Sequence, residues 1–271
     1  MKQKLFCLFF YIIGCFYSLA QYKEIEPLQY KIRYWVQSQS DSTDYKSSDA
    51  ERFILDVGKN TTSIYYSEGS FDKDSIISLQ FQKNLSSINL MGIPKSKYSY
   101  TIMKNRNSEF LKIKYIDVIQ KSKFSYQEQL KLNWRITSQQ EIINNIPCTL
   151  ATLDFGGRKW TAWFAHSIPI QEGPYKFGGL PGLIVKLQDE KKYFVFQLEN
   201  YRVAKESEKL KIKESSLAST ETTKLKFSQA IDHFNANIIS IMNADGIYLD
   251  PEATKNLERR YRKYNNPIEL N

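Results

Sequence analysis

The sequence predicts an α+β protein: a large, curved, mostly antiparallel β-sheet with one inserted helix and C-terminal helices. Three observations carry that class. From Tyr98 onward, alternating apolar and polar runs follow one another almost without pause, which is the period of strands with one covered face. Aromatic residues make up 14% of the chain, with 18 Tyr and 16 Phe; tyrosine suits such a sheet because its ring packs while its hydroxyl reaches water. The tail then changes period, and apolar residues recur there at helical spacing.

Taken in order, Leu28 to Val36 alternates as a strand, and the Ser/Asp/Thr stretch from Ser38 to Asp49 reads as a loop. Arg52–Val57 and Thr62–Tyr66 are strands around the turn Gly58-Lys59-Asn60. Ser70 to Leu90 fits a helix, with Phe71, Ile76, Ile77, Leu79, Phe81 and Leu85 near helical spacing. Asp72 and Asp74 favour its positive end, and Gly92 and Pro94 stop it. Five strands are predicted next: Tyr98–Met103, Phe110–Asp117, Phe124–Leu132, Ile142–Phe155 and Lys159–His166, with breaks near Val118-Ile119 and at Gly156-Gly157. Leu183–Gln188 and Tyr193–Val203 follow, joined by Asp189-Glu190-Lys191-Lys192. Connections this short imply antiparallel pairing and a meander. Lysines and small polar residues dominate Lys205–Thr223, read as a link to terminal helices, although Glu208–Lys213 alternates like a strand with one solvated face. Ser228–Asn243 carries a helical stripe. Asp250-Pro251-Glu252 starts a last, basic helix over Leu257–Tyr264, with Asp250 as cap and Pro251 at the first helical position.

The chain has 271 residues, enough for one large domain or two small ones. Residues 1–20 read as a signal peptide: Lys2 and Lys4, an apolar run from Leu5 to Tyr17, then Ser18-Leu19-Ala20 as the cleavage site. The run is short for a membrane span, so no transmembrane span is expected after its removal. Cleavage after Ala20 is favoured; lipidation at Cys15, in the lipobox-like Ile12-Ile13-Gly14-Cys15, is the alternative. Residues 21–271 then form a single β-rich domain with a helical segment at about 225–264. Cleavage leaves Cys148 as the one cysteine, excluding an internal disulfide. It reads as a small buried hydrophobe rather than a catalytic thiol, since no histidine lies near it in sequence. Net charge falls from +9 to +7 with the loss of Lys2 and Lys4. That excess is spread along the chain rather than gathered in a stripe, so nucleic acid is not the expected partner.

The densest local signal is Gly173-Pro174-Tyr175-Lys176-Phe177-Gly178-Gly179-Leu180-Pro181-Gly182-Leu183-Ile184. It is preceded by Trp134-Arg135-Ile136-Thr137, Cys148, Gly157-Arg158, Ala162-Trp163-Phe164 and Ile168-Pro169-Ile170, and the chain closes on Asn265-Asn266-Pro267-Ile268-Glu269-Leu270. In this order the segments resemble the GLPGLI family of exported Bacteroidetes proteins, most closely from about Tyr126 to Leu198. Thr149-Leu150 departs from that pattern. The resemblance implies secretion to an envelope, periplasmic or extracellular location and a β-rich domain. It brings no established catalytic residues.

Within the motif, Leu180-Pro181-Gly182-Leu183 suits a type II turn, and Gly178-Gly179 allows close backbone approach. Gly178, Gly179, Leu180, Pro181, Gly182, Leu183 and Ile184 therefore read as a structural corner. A sharper reading makes the loop a rigid rim presenting Tyr175, Lys176 and Phe177 to a ligand. Arg158 is expected to pair with Asp154 or bind an acidic group, and Trp163 to pack or line a pocket; Trp160 and Trp163 fall on opposite strand faces, so at least one packs inside. The two histidines, His166 and His233, have no metal-site spacing. Neither a Gly-x-Ser-x-Gly turn nor a phosphate loop is present. No catalytic residue, metal or cofactor is assigned. The balance falls against an enzyme and toward an exported binding or accessory protein, with an envelope component or small apolar ligand as partner. The alternatives are a secreted hydrolase using carboxylates with His166 and a structural surface-assembly subunit.

Overall fold

The computed structural model describes residues 22–82, 94, 96–106, 110–262 and 265–270. The leader with its Ala20 and Cys15 alternatives, the end of the first helix at Gly92, and the last two residues of the basic helix lie outside the described residues.

Two antiparallel meanders build one open sheet. The first is β1 (Tyr22–Gln39), β2 (Ser48–Gly58), β3 (Thr62–Ser67), β4 (Thr101–Asn105), β5 (Leu111–Ile119) and β6 (Ser122–Leu130). The second is β7 (Arg135–Ile143), β8 (Ile146–Phe155), β9 (Arg158–Ala165), β10 (Leu183–Asp189) and β11 (Phe194–Val203). They join where β11 pairs with β1, giving the order β6-β5-β4-β3-β2-β1-β11-β10-β9-β8-β7. β12 (Lys209–Lys213) pairs with the start of β1, and β13 (Thr220–Thr222) runs parallel to β6. Only residues 131–134 connect β6 to β7, which stand at opposite ends of the joined meanders.

The predicted strand over Ile142–Phe155 is two strands. Asn144 and Asn145, at φ +51° and +62°, turn the chain between β7 and β8, as two-residue hairpins require. The apolar residues on either side hid that turn. β7 itself escaped prediction because it lies at the sheet end with every residue but Ile143 exposed, so no covered face imposes alternation. Val118 and Ile119 end β5, next to the break, which falls at Gln120-Lys121. The stretch Lys205–Thr223 is also more than a link. Leu210 and Ile212 of β12 are buried while its lysines alternate outward.

Helix α1 (Glu68–Gln82) begins two residues before its predicted start, with Ser67 Oγ accepting from the Ser70 amide at 3.0 Å. It packs Phe71 on Tyr66 and Tyr22. After the short α2 (Glu214–Leu217), the predicted Ser228–Asn243 helix divides into α3 (Lys224–Ala236) and α4 (Ile238–Ala244). α5 (Pro251–Arg262) is capped as predicted: Asp250 Oδ1 accepts from the Ala253 amide at 2.8 Å.

The main core lies on the face of the sheet that carries Tyr34, Phe53, Leu55, Tyr65, Ile102 and Phe164. Leu28, Ile64, Ile116, Leu210 and Ile212 form a second cluster; Ile64 and Ile116 point opposite to the core residues Tyr65 and Tyr115 beside them, as strand alternation dictates. α3 docks by Phe227, edge-on to Tyr115 and Tyr126.

Candidate functional site

The motif loop, residues 166–182 between β9 and β10, lies inside the fold and is tied to it at nearly every step. Leu180, Leu183 and Ile184 are buried. The Leu183 amide donates to Ile168 O at 3.0 Å, the Ile184 amide to Glu172 O at 3.0 Å, and the Gly179 amide to Gln171 O at 3.0 Å. Tyr34 donates its hydroxyl to Ile184 O at 2.7 Å.

The corner is not the expected type II turn. That turn needs Leu183 N to donate to Leu180 O. Instead Gly182 N bonds Leu180 O at 2.8 Å, a three-residue turn centred on Pro181, whose ring fixes a compatible φ. Glycine is required at 182 mainly because a Cβ there would stand 2.2 Å from Ala165 O. Gly182 itself stands at φ +159°, while the left-handed values belong to Gly179, at +82°, and to the buried Tyr175, at +54°, a region non-glycine residues seldom adopt.

Two buried cations hold the loop. Lys104 of β4 and Glu172 pair at 2.6 Å with side-chain exposures of 0% and 1%. The same ammonium donates to Gly173 O at 2.7 Å and Phe177 O at 3.1 Å, while Ser63 Oγ donates to Glu172 at 2.7 Å. Burial pulls the Lys104 pKa below the ordinary lysine value, against the opposing pull of Glu172. Lys176 reaches Glu269 of the C-terminal tail at 2.5 Å, donates to Tyr126 Oη at 2.8 Å and pairs with Glu128. Its ammonium stands 5.1 to 5.4 Å from the rings of Tyr126, Tyr115 and Tyr175, a cation–π cage. Glu269 also accepts from Tyr175 Oη at 2.6 Å and Lys224 at 2.5 Å. Burial alone would raise its pKa, but these cations and hydroxyl leave it below the ordinary carboxylate value.

Arg158 finds other partners than the predicted Asp154, which pairs with Arg135. Its guanidinium pairs with Asp189 at 3.2 Å and donates to Ile268 O at 3.0 Å, Asn266 Oδ1 at 2.6 Å and Pro267 O at 2.5 Å. The difference follows from strand geometry: Arg158 sits opposite Phe155, whereas Asp154 is opposite Lys159. Arg158 therefore clamps the tail, which Asn266 fixes further by donating to Gln39 O at 2.7 Å. Trp163 and Trp160 are both buried, so the two faces of β9 are both covered. Phe177 packs on Trp160 at 4.8 Å. Tyr175, Lys176 and Phe177 thus point inward and form no exposed rim; the driving force is burial of their rings together with the charge network that satisfies Lys176.

Beside this loop lies a cavity of about 490 Å³. Its floor is Val36, Tyr115, Phe194 and Phe196 of the sheet, with Tyr98 and Tyr100 from the segment that leads into β4. Its roof is Ile231 and Phe234 of α3 with Leu257 and Tyr261 of α5, and the clamped tail, Asn266 to Ile268, closes one side. Of the predicted site residues only Tyr175 lines it. A second cavity, about 430 Å³, shares Lys97–Tyr100, Asp117, Val118 and Phe234 with the first and continues past them to α1 and β12. Asp117 borders both. Ser99 Oγ and the Val118 amide donate to it at 2.5 and 2.7 Å, yet burial pushes its pKa up to about 6. The abundance of tyrosine and the alternation Tyr98-x-Tyr100 and Tyr115-x-Asp117 were the signals for this wall; sequence alone did not bring them together with the tail.

His166 is exposed, packs edge-on to Phe164 and lines neither cavity. Cys148 is buried, donates to Ile146 O, and has its thiol pKa pushed up to about 11, chiefly by burial. Among the described residues, no three His, Cys, Asp or Glu side chains are grouped to hold a metal, and no helix is long and apolar enough to cross a membrane.

A family model for proteins of unknown function, Porph_ging, matches residues 95–186, from just before β4 into β10. No curated protein matches the chain. Among solved structures, PNGF-II in space groups C2 and P21 aligns at 13% and 12% identity with TM-scores of 0.51 and 0.52, over 75% of this chain and 32% and 33% of that one. The chain thus spans about a third of the PNGF-II chain, and the likeness is one of fold. A putative outer membrane lipoprotein-sorting protein domain from Vibrio parahaemolyticus aligns at 6% identity over 66% of this chain and 87% of that one, with a TM-score of 0.31.

Proposed function

We propose that the chain is an exported, GLPGLI-type binding or accessory protein of the cell envelope, a single β-rich domain over 21–271, whose cavity beneath α3 and α5 holds a small apolar ligand. The observation that carries this reading is the aromatic cavity itself. Its volume is that of small-molecule sites, and aromatic and aliphatic side chains outnumber the polar ones on its lining. The sheet topology supports a curved wall around it. Laid flat, the joined meanders would hold β6 and β7 roughly 50 Å apart at strand spacing, whereas residues 131–134 and their flanking bonds reach about 19 Å at most. In this reading Arg158, Lys176 and Glu269 are structural: they fix the loop and tail that shape the cavity, while Tyr175 contributes one wall. The export reading rests on the leader pattern.

The test is native mass spectrometry of protein purified from its own host, together with binding of the neutral fluorophore N-phenyl-1-naphthylamine. A retained small molecule, or dye binding abolished by Ile231→Trp in the roof, is expected. A clean apo mass with no dye binding ends the proposal.

One observation favours a structural surface-assembly subunit as the second reading. β7 is an end strand with Ile136 and Ile142 exposed at 51% and 72%, and such edges accept added strands. Cross-linking in intact cells through Gln139, with Gln139→Pro as the blocked control, would show a fixed neighbour under that reading and none otherwise.

A further inference from the structure

The charge balance of the cavity points further than its shape. Glu172, Asp189 and Glu269 each hold a lysine or arginine. Half-buried Asp117 receives hydrogen bonds from Ser99 and the Val118 amide, and among the described residues no cation pairs with it. It stands at the junction of the two cavities, beside a wall of Tyr98, Tyr100 and Tyr115. We infer that the cavity takes a ligand with an organic cation, an amine or quaternary ammonium group on an apolar body, with Asp117 as counter-ion and the tyrosine wall as its cage. This rests on the reading of the cavity as a ligand site.

Two physical arguments select a cation over the other charge states. An anion would face Asp117 and Asp232, and Lys97, the cation that borders the same cavity, is already paired with Asp49 at 2.7 Å. A neutral body would bury the carboxylate without any counter-charge, which is costly in a desolvated site. A cation over aromatic faces gains on both counts. The same walls already hold one: Tyr115 and Tyr175, which line the cavity, also flank the Lys176 ammonium at 5.3 and 5.4 Å. That cage is filled from within the chain; at the wall beside Asp117 the Lys97 ammonium stands 5.8 Å from the Tyr98 ring and is paired with Asp49 rather than Asp117.

The raised Asp117 pKa is the state expected of a carboxyl waiting for a counter-ion, and a bound cation would lower it. Binding should therefore weaken as pH falls through about 6. In the apolar cavity the charged groups around it are Lys97, paired with Asp49 at 2.7 Å, and Asp232. In the other cavity Lys211 pairs with Glu24 and Lys213 with Asp74, Lys123 donates to Ser215 and Ser216, and Lys73 is exposed. His233 on α3 is exposed and lines neither cavity.

The test uses the full chain and two probes of one shape, benzyltrimethylammonium and its neutral carbon isostere neopentylbenzene, each displacing N-phenyl-1-naphthylamine. At pH 7.5 the cation is expected to displace the dye at least about ten-fold better. That advantage should shrink toward unity at pH 5 and in Asp117→Asn. Equal displacement by both probes, or a preference for the cation that neither acid nor Asp117→Asn reduces, overturns the inference while leaving the cavity reading intact. Failure of the dye to bind at all sinks the cavity reading itself. The wild-type pH profile decides the matter even where Asp117→Asn folds poorly.

Discussion

The motif loop and the cavity beside it are both lined by buried tyrosines and charged groups, but they treat charge in opposite ways. In the loop each buried cation is saturated. Lys104 has one carboxylate and two carbonyls, and Lys176 has two carboxylates, a hydroxyl and three ring faces. Nothing is left over for a ligand. In the cavity, Asp117 keeps its charge half out of water, and among the described residues its donors are neutral. A fully paired network specifies geometry; a polar group held in a cleft without its opposite charge is where chemistry or recognition is expected. The prominent motif is thus scaffold, and the quieter tyrosine strands make the site.

The largest effect that would break this contrast is removal of a loop cation. Lys104→Met leaves the buried Glu172 with Arg106 at 3.3 Å as its remaining counter-charge and two carbonyls without their donor, and should cost about 3 kcal/mol in urea unfolding. Lys104→Met with Glu172→Leu should recover much of that loss, because the stranded charge is gone. Whatever remains folded should bind dye as before; loss of binding at unchanged stability would make the loop part of the site. Next comes Gly182→Ala. Its Cβ would meet Ala165 O at 2.2 Å, so backbone must move, at about 1–3 kcal/mol or more. A melting temperature within a degree of wild type would show that the corner is not the brace described here.

Much of the fold was legible because burial imposes period on sequence. β2, β3, β8 to β11 and the cap at Asp250 all lie where buried apolar residues or a cap residue announce them. β7 was lost because both of its faces meet water, and the Asn144-Asn145 turn because Ile143 and Ile146 make the apolar run look continuous. At the site, the glycines and prolines of the motif were conspicuous, but which side chains they turn inward is set by long-range partners. Lys104 lies 68 residues before Glu172 and Glu269 lies 93 after Lys176, so neither pairing leaves a local mark. Arg158 was noticed as a charge near a hairpin, yet its partners come from Asp189 and a tail more than a hundred residues away.

The tail is where the two regions meet, and acid should part them. Glu269 has a folded-state pKa below the ordinary carboxylate value, because Lys176, Lys224 and Tyr175 outweigh its burial. A depressed carboxylate adds stability above its unfolded pKa, roughly 4.3, and loses it as pH falls through the lower folded value. Glu269→Gln should therefore be less stable than wild type at pH 7, by about 2 kcal/mol, with the gap closing toward pH 3. A gap that does not change between pH 7 and pH 3 would mean that the tail is held by Arg158 and Asn266 alone.

The smallest effect carries the opposite sign and sharpens the comparison most. Burial raises Asp117 to about 6, against the downward pull of Ser99 and the Val118 amide. Its unfolded value is about 3.9. Between those values the folded chain binds more protons than the unfolded one, so stability falls as pH rises through that window. At pH 7 the carboxylate is ionised and the penalty is complete. Asp117→Asn removes it and keeps a group that can accept from Ser99. Because the side chain is partly exposed, solvent screening reduces the gain to about 1 kcal/mol at pH 7, with none at pH 4. Chemical denaturation of both proteins at the two pH values measures it directly. A variant that loses stability at pH 7 would show Asp117 to be a satisfied structural acid like Glu269, and the difference between loop and cavity would disappear.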